Sequence, residues 1–194
     1  MRRDLLTSVL AILAVTVVFG LAYPLVVTGI SQVAFHGRAG GSLIHQGGKL
    51  VGSRLLAQPV KSDRYFFPRP STYTNYDPAA TAFTNLGPNS RAARDTFAKS
   101  LRAYLKRERR FDPGLTRARV PVDAVTSSAS GVDPQISVAN ADIQARRVAA
   151  VRHMPLAQVR QLVQEHTDGR TLGVLGEPGV NVLELNLALD DHSR

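Results

Sequence analysis

The pattern of apolar and charged positions divides the chain sharply near its beginning. Residues 5–35 contain no Asp, Glu, Lys, Arg or His, and Arg2 and Arg3 precede this run, separated from it only by Asp4. As a helix rising about 1.5 Å per residue, the run exceeds the roughly 30 Å hydrocarbon layer of a bilayer. We therefore expect a single N-terminal transmembrane helix, of which only residues 5–27 need lie in lipid.

A cleaved secretory signal is the alternative interpretation of this run, because such signals also begin with basic residues. Their apolar region is about 7 to 15 residues long, whereas this one continues through Pro24 and Ile30. An uncleaved anchor therefore fits better. Arg2 and Arg3 favour a cytoplasmic N-terminus, so we expect residues 1–35 to be the anchor and residues 36–194 to form one extracytoplasmic domain.

Small or polar residues recur every four positions within the span, at Thr16, Gly20, Pro24, Thr28 and Gln32. This spacing places them along one slanted ridge of a helix. Helices in lipid associate over small residues and through side-chain hydrogen bonds. We interpret the ridge, together with Tyr23, as the surface that docks on partner helices; alternatively, such residues are only tolerated in the membrane and Pro24 marks a kink.

Beyond the span, the first elements indicated are a hairpin and a long irregular stretch. Gly47 and Gly48 join two apolar runs, and paired glycines supply the positive φ that tight hairpin turns require. Aromatic residues and prolines over residues 65–71 predict an extended, non-helical segment. Turn-forming residues predict a long ordered loop over residues 72–90, with disorder as the alternative.

Apolar residues three or four positions apart predict three helices. The first starts at residue 91 and ends before Asp112, with an apolar stripe formed by Ala93, Phe97, Leu101, Tyr104 and Leu105. The second covers residues 138–153, capped by Ser137, and the third starts at Pro155. Residues 121–125 suggest a short strand, and alternating leucines over residues 180–189 predict a principal sheet strand. The predicted fold class is α+β.

Charge is concentrated around the first of these helices. The chain carries a formal net charge of +9. Residues 91–119 hold ten Lys or Arg, against the three acids Asp95, Glu108 and Asp112. A basic helix face can bind nucleic acid or acidic lipid, but a solvated helix face is the simpler interpretation.

Catalytic and metal-binding patterns are missing from the sequence. It has no cysteine, which excludes disulfides and thiolate metal sites. Its histidines are scattered at positions 36, 45, 153, 166 and 192, without a metal-ligand spacing, and the serines of residues 127–130 lack a nucleophile-elbow pattern. We expect no cofactor bound by the chain itself. A membrane-anchored hydrolase and a free-standing surface adhesin remain the alternative classes.

Several ordered motifs resemble the C subunits of the Kdp high-affinity potassium-transporting ATPases. The motifs span nearly the whole chain and are Gly20–Leu25 with Thr28 and Gln32, Gly41–Ile44, Gly52–Ser53 with Gln58, Tyr65–Phe66 with Arg69–Ser71, Ala129–Asp133, Arg147–Ala149, and Gly176–Pro178 with Asn181–Leu189. The span motif and the Asn-Leu-Ala-Leu ending are the most specific. Departures from the family pattern are Ala57 for Gly, Phe67 for His, and Phe83–Thr84 for Gly-Ser.

The resemblance implies an accessory, non-catalytic subunit of a bacterial plasma-membrane complex. Its implied partners are a channel-like potassium-binding subunit, a P-type ATPase subunit and a small membrane subunit, with no nucleic acid. Such C subunits are described as catalytic chaperones that raise the affinity of the ATPase subunit for ATP, and a glutamine is proposed to touch the nucleotide. Gln144 is the candidate glutamine here. Because Arg2 and Arg3 predict an exported domain, we expect any effect on ATP to be indirect. The alternative function is a purely structural scaffold, or a cap over the potassium entry, with no nucleotide contact.

Overall fold

The computed structural model describes residues 1–71, 75–80, 85–87 and 89–192, in two compact units, Met1–Ile44 and His45–Arg194. Part of the loop predicted over residues 72–90, including Phe83 and Thr84, lies outside the described residues. The mixed α+β class predicted from the sequence is confirmed, because a long apolar helix is followed by helices and small antiparallel sheets.

The first unit is dominated by a continuous helix over Arg2–Ala34, which is long and apolar enough to cross a membrane. It consists of α1 (Arg2–Val15), a π-helical stretch (Thr16–Ala22) and α2 (Tyr23–Ala34), followed by the short α3 (His36–Ala39). Pro24 in the first turn of α2 has no N–H to donate to a carbonyl of the preceding turn. Prolines and π-turns of this kind interrupt the regular α-helical ladder.

The predicted hairpin is confirmed. Strand β1 (Leu43–Gln46) pairs with β2 (Lys49–Ser53) in a two-stranded sheet. Gly47 and Gly48 form the turn with φ of 58° and 76°, in the region that favours glycine.

The main core of the second unit lies between three helices and a small sheet. The helices are α5 (Val138–Arg152), α6 (Leu156–Glu165) and α7 (Val182–Asp191). The sheet has the antiparallel order β3 (Gln135–Ser137), β5 (Gly179–Asn181), β4 (Thr167–Asp168). Their buried side chains form one cluster that includes Phe66, Ile136, Val148, Val159, Leu185 and Leu189. Ser137 caps α5 as predicted, accepting a hydrogen bond from the amide of Asn140.

A second apolar cluster joins α4 (Arg91–Glu108) to α5 and contains Tyr104, Leu105, Leu115, Ala124 and Ile143. The predicted helix is therefore confirmed, including its end before Asp112. Its apolar stripe is only partly buried, because Phe97 is 43% exposed.

Two strand predictions are wrong. Residues 180–189 form only the last residues of β5 and then α7, because the Asn181 side chain accepts a hydrogen bond from the amide of Glu184 and starts a helix. The buried positions are Val182, Leu185, Asn186 and Leu189, at helical spacing. Residues 121–125 contain a 3-10 turn, Val122–Ala124, and no strand.

Candidate functional site

The best-connected polar part of the second unit surrounds the segment 63–67, which has no regular secondary structure. Side chains from α5 and α7 bind its backbone. Arg147 of α5 donates to the carbonyl oxygens of Asp63 and Tyr65, the latter at 2.9 Å. Arg152, at the end of α5, donates to the carbonyl oxygen of Arg64 at 2.7 Å. Backbone groups of such a partly buried irregular segment need these partners because the segment makes no ladder of its own.

Gln144 belongs to this arrangement and is 1% exposed. Its carbonyl oxygen accepts from the Phe67 amide and from Nη2 of Arg147, both at 2.8 Å. Its amide nitrogen donates to the Phe67 carbonyl at 3.1 Å and to Oδ1 of Asn140 at 3.0 Å. A carboxamide has two donors and can accept twice, so this side chain is fully engaged within the protein.

Asn186 on α7 holds the neighbouring residue in the same way. Its oxygen accepts from the Phe66 amide at 2.8 Å, and its nitrogen donates to the Phe66 carbonyl at 3.0 Å. Gln144 and Asn186 thus form two matched amide clamps on consecutive residues, one from α5 and one from α7. The sequence analysis singled out Gln144 but missed the equivalent role of Asn186, although Asn186 is the first residue of the Asn-Leu-Ala-Leu ending.

A buried ion pair supports the first clamp. Arg147 is fully buried, and its Nε donates to both carboxylate oxygens of Glu108 on α4, at 3.1 and 3.2 Å. Burial lowers the pKa of Arg147, and the nearby Glu108 carboxylate opposes that shift. Removing Glu108 would leave the buried Arg147 guanidinium without its carboxylate partner, which is strongly destabilising.

Phe67, which departs from the family pattern, has two guanidinium groups close to its ring. Arg107 is 4.2 Å and Arg147 is 4.8 Å from the centre of its ring. Cations are attracted to an aromatic face, so an apolar ring suits this position. Beside it is an open cavity of about 240 Å³, lined among others by Phe67, Tyr76, Tyr104, Arg107 and Gln144.

The predicted docking residues lie in the first unit, and all six are exposed: Thr16, Gly20, Tyr23, Pro24, Thr28 and Gln32. Thr16 and Gly20 lie in the π-helical stretch and the other four in α2. The side-chain oxygen of Gln32 lies 3.1 Å from Nδ1 of His36, so this residue also contacts its own chain. Within residues 1–71, 75–80, 85–87 and 89–192, no three His, Cys, Asp or Glu side chains come together as a metal site.

Comparisons with known proteins agree over nearly the whole chain. The family model described as "KdpC: K+-transporting ATPase, c chain" matches residues 5–191. The chain is 46% identical over 191 residues to the potassium-transporting ATPase KdpC subunit of Koribacter versatilis, covering 98% of this chain and 95% of that protein. It is 47% identical to the KdpC subunit of Mycobacterium tuberculosis H37Rv, covering 98% and 99% of the two chains. It is 50% identical to the KdpC subunit of Ralstonia nicotianae, covering 98% of this chain and 92% of that protein.

Proposed function

Since the chain belongs to the KdpC family and is a non-catalytic subunit of the Kdp potassium-transporting ATPase, we propose that it acts by contact alone. In this proposal it holds the potassium-binding subunit, the P-type ATPase subunit and the small membrane subunit in a working arrangement. The observation that carries the proposal is the helix over Arg2–Ala34, which has no buried residue within the chain itself. Its side chains are available to lipid and to partner helices.

The π-helical stretch favours the ridge as the docking surface. In an α-helix, four residues turn about 400° around the axis, which is about 40° more than one full turn. A row of five residues spaced by four therefore rotates by about 160° around the helix from its first member to its last. A π-turn bonds residue i to i+5 and holds more residues per turn. The steps across Thr16–Ala22 therefore do not add to this rotation, and the ridge residues stay closer to one side of the helix.

The orientation proposed for the chain determines whether the second unit can contact cytoplasmic ATP. Arg2 and Arg3 favour a cytoplasmic N-terminus, which would export the second unit away from cytoplasmic ATP. We propose that the subunit affects nucleotide use indirectly, through assembly or conformation, and that it binds no cofactor itself. The saturated amide of Gln144 supports this, because every hydrogen bond it can make is already formed with the protein.

Docking through the ridge is tested by Gly20→Leu. A Cβ at Gly20 would lie 3.7 Å from the Thr16 methyl group, which is ordinary contact, so the helix itself tolerates a side chain there. Added apolar bulk also does not oppose membrane insertion. The variant should insert normally but fail to co-purify with the other subunits in mild detergent.

Gly29→Leu is the matched control. A Cβ at Gly29 would have no other atom within 4 Å, and Gly29 lies about 100° around the helix axis from Thr28, off the ridge. This variant should co-purify like the unchanged protein. Full co-purification of Gly20→Leu would reject the ridge as the docking surface.

The orientation is tested by cysteine labelling, since the chain has no cysteine of its own. Leu172→Cys places a thiol at a position that is 87% exposed in the second unit. It should react with a membrane-impermeant reagent on intact spheroplasts, whereas Asp4→Cys, which keeps Arg2 and Arg3, should react only after lysis. The opposite labelling pattern would reverse the orientation.

A further inference from the structure

One face of α4 carries a concentrated positive charge. Six exposed cations lie within an arc of about 140° around the helix axis, and they are Arg91, Arg94, Lys99, Arg102, Lys106 and Arg109. Asp95 is the one acid in the arc. The buried Tyr104 and Glu108 lie outside the arc, and the buried Leu105 lies only at its edge beside Arg94, so packing of the helix leaves most of this basic face outward.

The charge of the basic face is not neutralised by the domain. The neighbouring Arg107 and Arg110 pair with Glu108 and Asp63. By contrast, in the part of the chain that the structure describes, none of the six cations of the basic face makes an ion pair. Such a concentration of charge costs folding energy through self-repulsion, which an anionic partner would relieve.

The chemistry of the basic face fits lipid headgroups better than a protein surface. The cores of protein interfaces are depleted in charged residues and rich in aromatic ones, although arginine is also enriched at interfaces. This face is almost wholly charged, and the half-exposed Phe97 lies outside the arc. Anionic leaflets attract clusters of Lys and Arg without needing apolar contacts.

The chain also limits how far the second unit can move from the bilayer that holds its helix. Only residues 35–44 separate the end of the long helix, Ala34, from the second unit. At about 3.5 Å per residue, this tether spans at most roughly 35 Å. Tethering at that length raises the effective concentration of the membrane surface around the domain.

We propose that the basic face of α4 binds the anionic phospholipid surface of the membrane in which the chain is anchored. The interaction would orient the second unit beside the bilayer by charge. Its strength would fall with salt, because exposed charges are screened within about 10 Å at 0.1 M ionic strength. Each cation removed should weaken it by roughly fivefold.

The full chain in lipid nanodiscs tests this proposal. An environment-sensitive fluorophore is attached through Asp95→Cys in the centre of the basic face, and its quenching by headgroup spin-labelled lipid is measured. In discs of phosphatidylcholine with phosphatidylglycerol, quenching should be clearly stronger than in phosphatidylcholine alone, and this difference should be lost at high salt. The triple variant Lys99→Glu, Arg102→Glu and Lys106→Glu should show the low quenching of the neutral discs.

A charge-matched control separates the basic face from net charge. Lys49, Lys61 and Arg64 are exposed and lie outside α4, so their replacement by Glu makes the same change in total charge. This control should keep the lipid-dependent quenching, and near-ultraviolet circular dichroism of both triple variants should match the unchanged chain. Equal quenching in the two lipid mixtures would overturn the proposal. A second result would also overturn it. If the triple variant of α4 kept its lipid-dependent quenching but was released from the complex, the basic face would be assigned to a protein partner.

Discussion

The two amide clamps lead to a prediction that separates a structural role of Gln144 from contact with ATP. Gln144→Ala removes four hydrogen bonds and leaves the Phe67 amide and carbonyl without a protein partner. Asn186→Ala removes two hydrogen bonds and likewise leaves the amide and carbonyl of the preceding residue, Phe66, without the side chain that holds them. If both side chains serve to hold segment 63–67, the two variants should behave alike.

The size of the effect follows from the groups left unsatisfied. A buried donor or acceptor without a partner costs about 1–3 kcal/mol. Because Phe67 is half-buried beside the open cavity, water can reach its backbone in part, so we expect a loss of about 3 kcal/mol for Gln144→Ala. At roughly 2–4 °C per kcal/mol for a domain of this size, the melting temperature should fall by about 9 °C.

The assay compares melting temperature with the dependence of ATP hydrolysis on ATP concentration, in the assembled complex. Both variants should lower the melting temperature and the amount of assembled complex. Once the rate is normalised to assembled complex, the KM for ATP should be unchanged in both. A raised KM in Gln144→Ala alone, with a normal melting temperature, would refute the clamp as the role of Gln144.

Two further predictions concern local packing and pH. A Cβ at Gly52 would overlap the side-chain amide of Gln58, which donates to the Val51 carbonyl at 2.9 Å. Gly52→Ala must displace that amide, so it should destabilise the second unit by about 1–3 kcal/mol. Gly169→Ala, where nothing lies within 4 Å, should leave the melting temperature nearly unchanged, and equal melting temperatures for the two variants would contradict the contact. Burial raises the pKa of Tyr104, so the folded chain keeps the phenol proton while the unfolded chain loses it near pH 10. This contribution to stability is complete below about pH 10 and is lost as pH rises further. Between pH 9 and 11, the melting temperature of the unchanged chain should therefore fall more steeply with pH than that of Tyr104→Phe. Parallel curves of melting temperature against pH would contradict a raised pKa of Tyr104 in the folded chain.

The elements predicted correctly are those with a local signal. The uncharged run, the paired glycines, and the cap at Ser137 act within one turn or one helix, so neighbouring residues are enough to detect them. The strand predicted over residues 180–189 is wrong because alternating leucines over a short run also suit a helix. The deciding signal was Asn181 as a cap, followed after Val182 by residues with good helix propensity.

The candidate site depends on contacts that no local pattern contains. Gln144 meets the backbone of a residue 77 positions away, and Asn186 meets one 120 positions away. The resemblance to the family pointed to Gln144, and its proposed relation to ATP remains a prediction. Only the fold shows that its amide is satisfied within the domain and has a counterpart on α7.

The central claim, that this subunit acts by contact and not through a nucleotide of its own, is tested most directly by calorimetric titration of the full chain in detergent with ATP and magnesium. The cavity lined by Phe67, Tyr76 and Arg107 is where such a ligand would be sought. The account predicts no saturable heat of binding, and the same titration profile for the unchanged chain and for Arg107→Ala. Saturable binding at micromolar ATP, lost in Arg107→Ala, would contradict it.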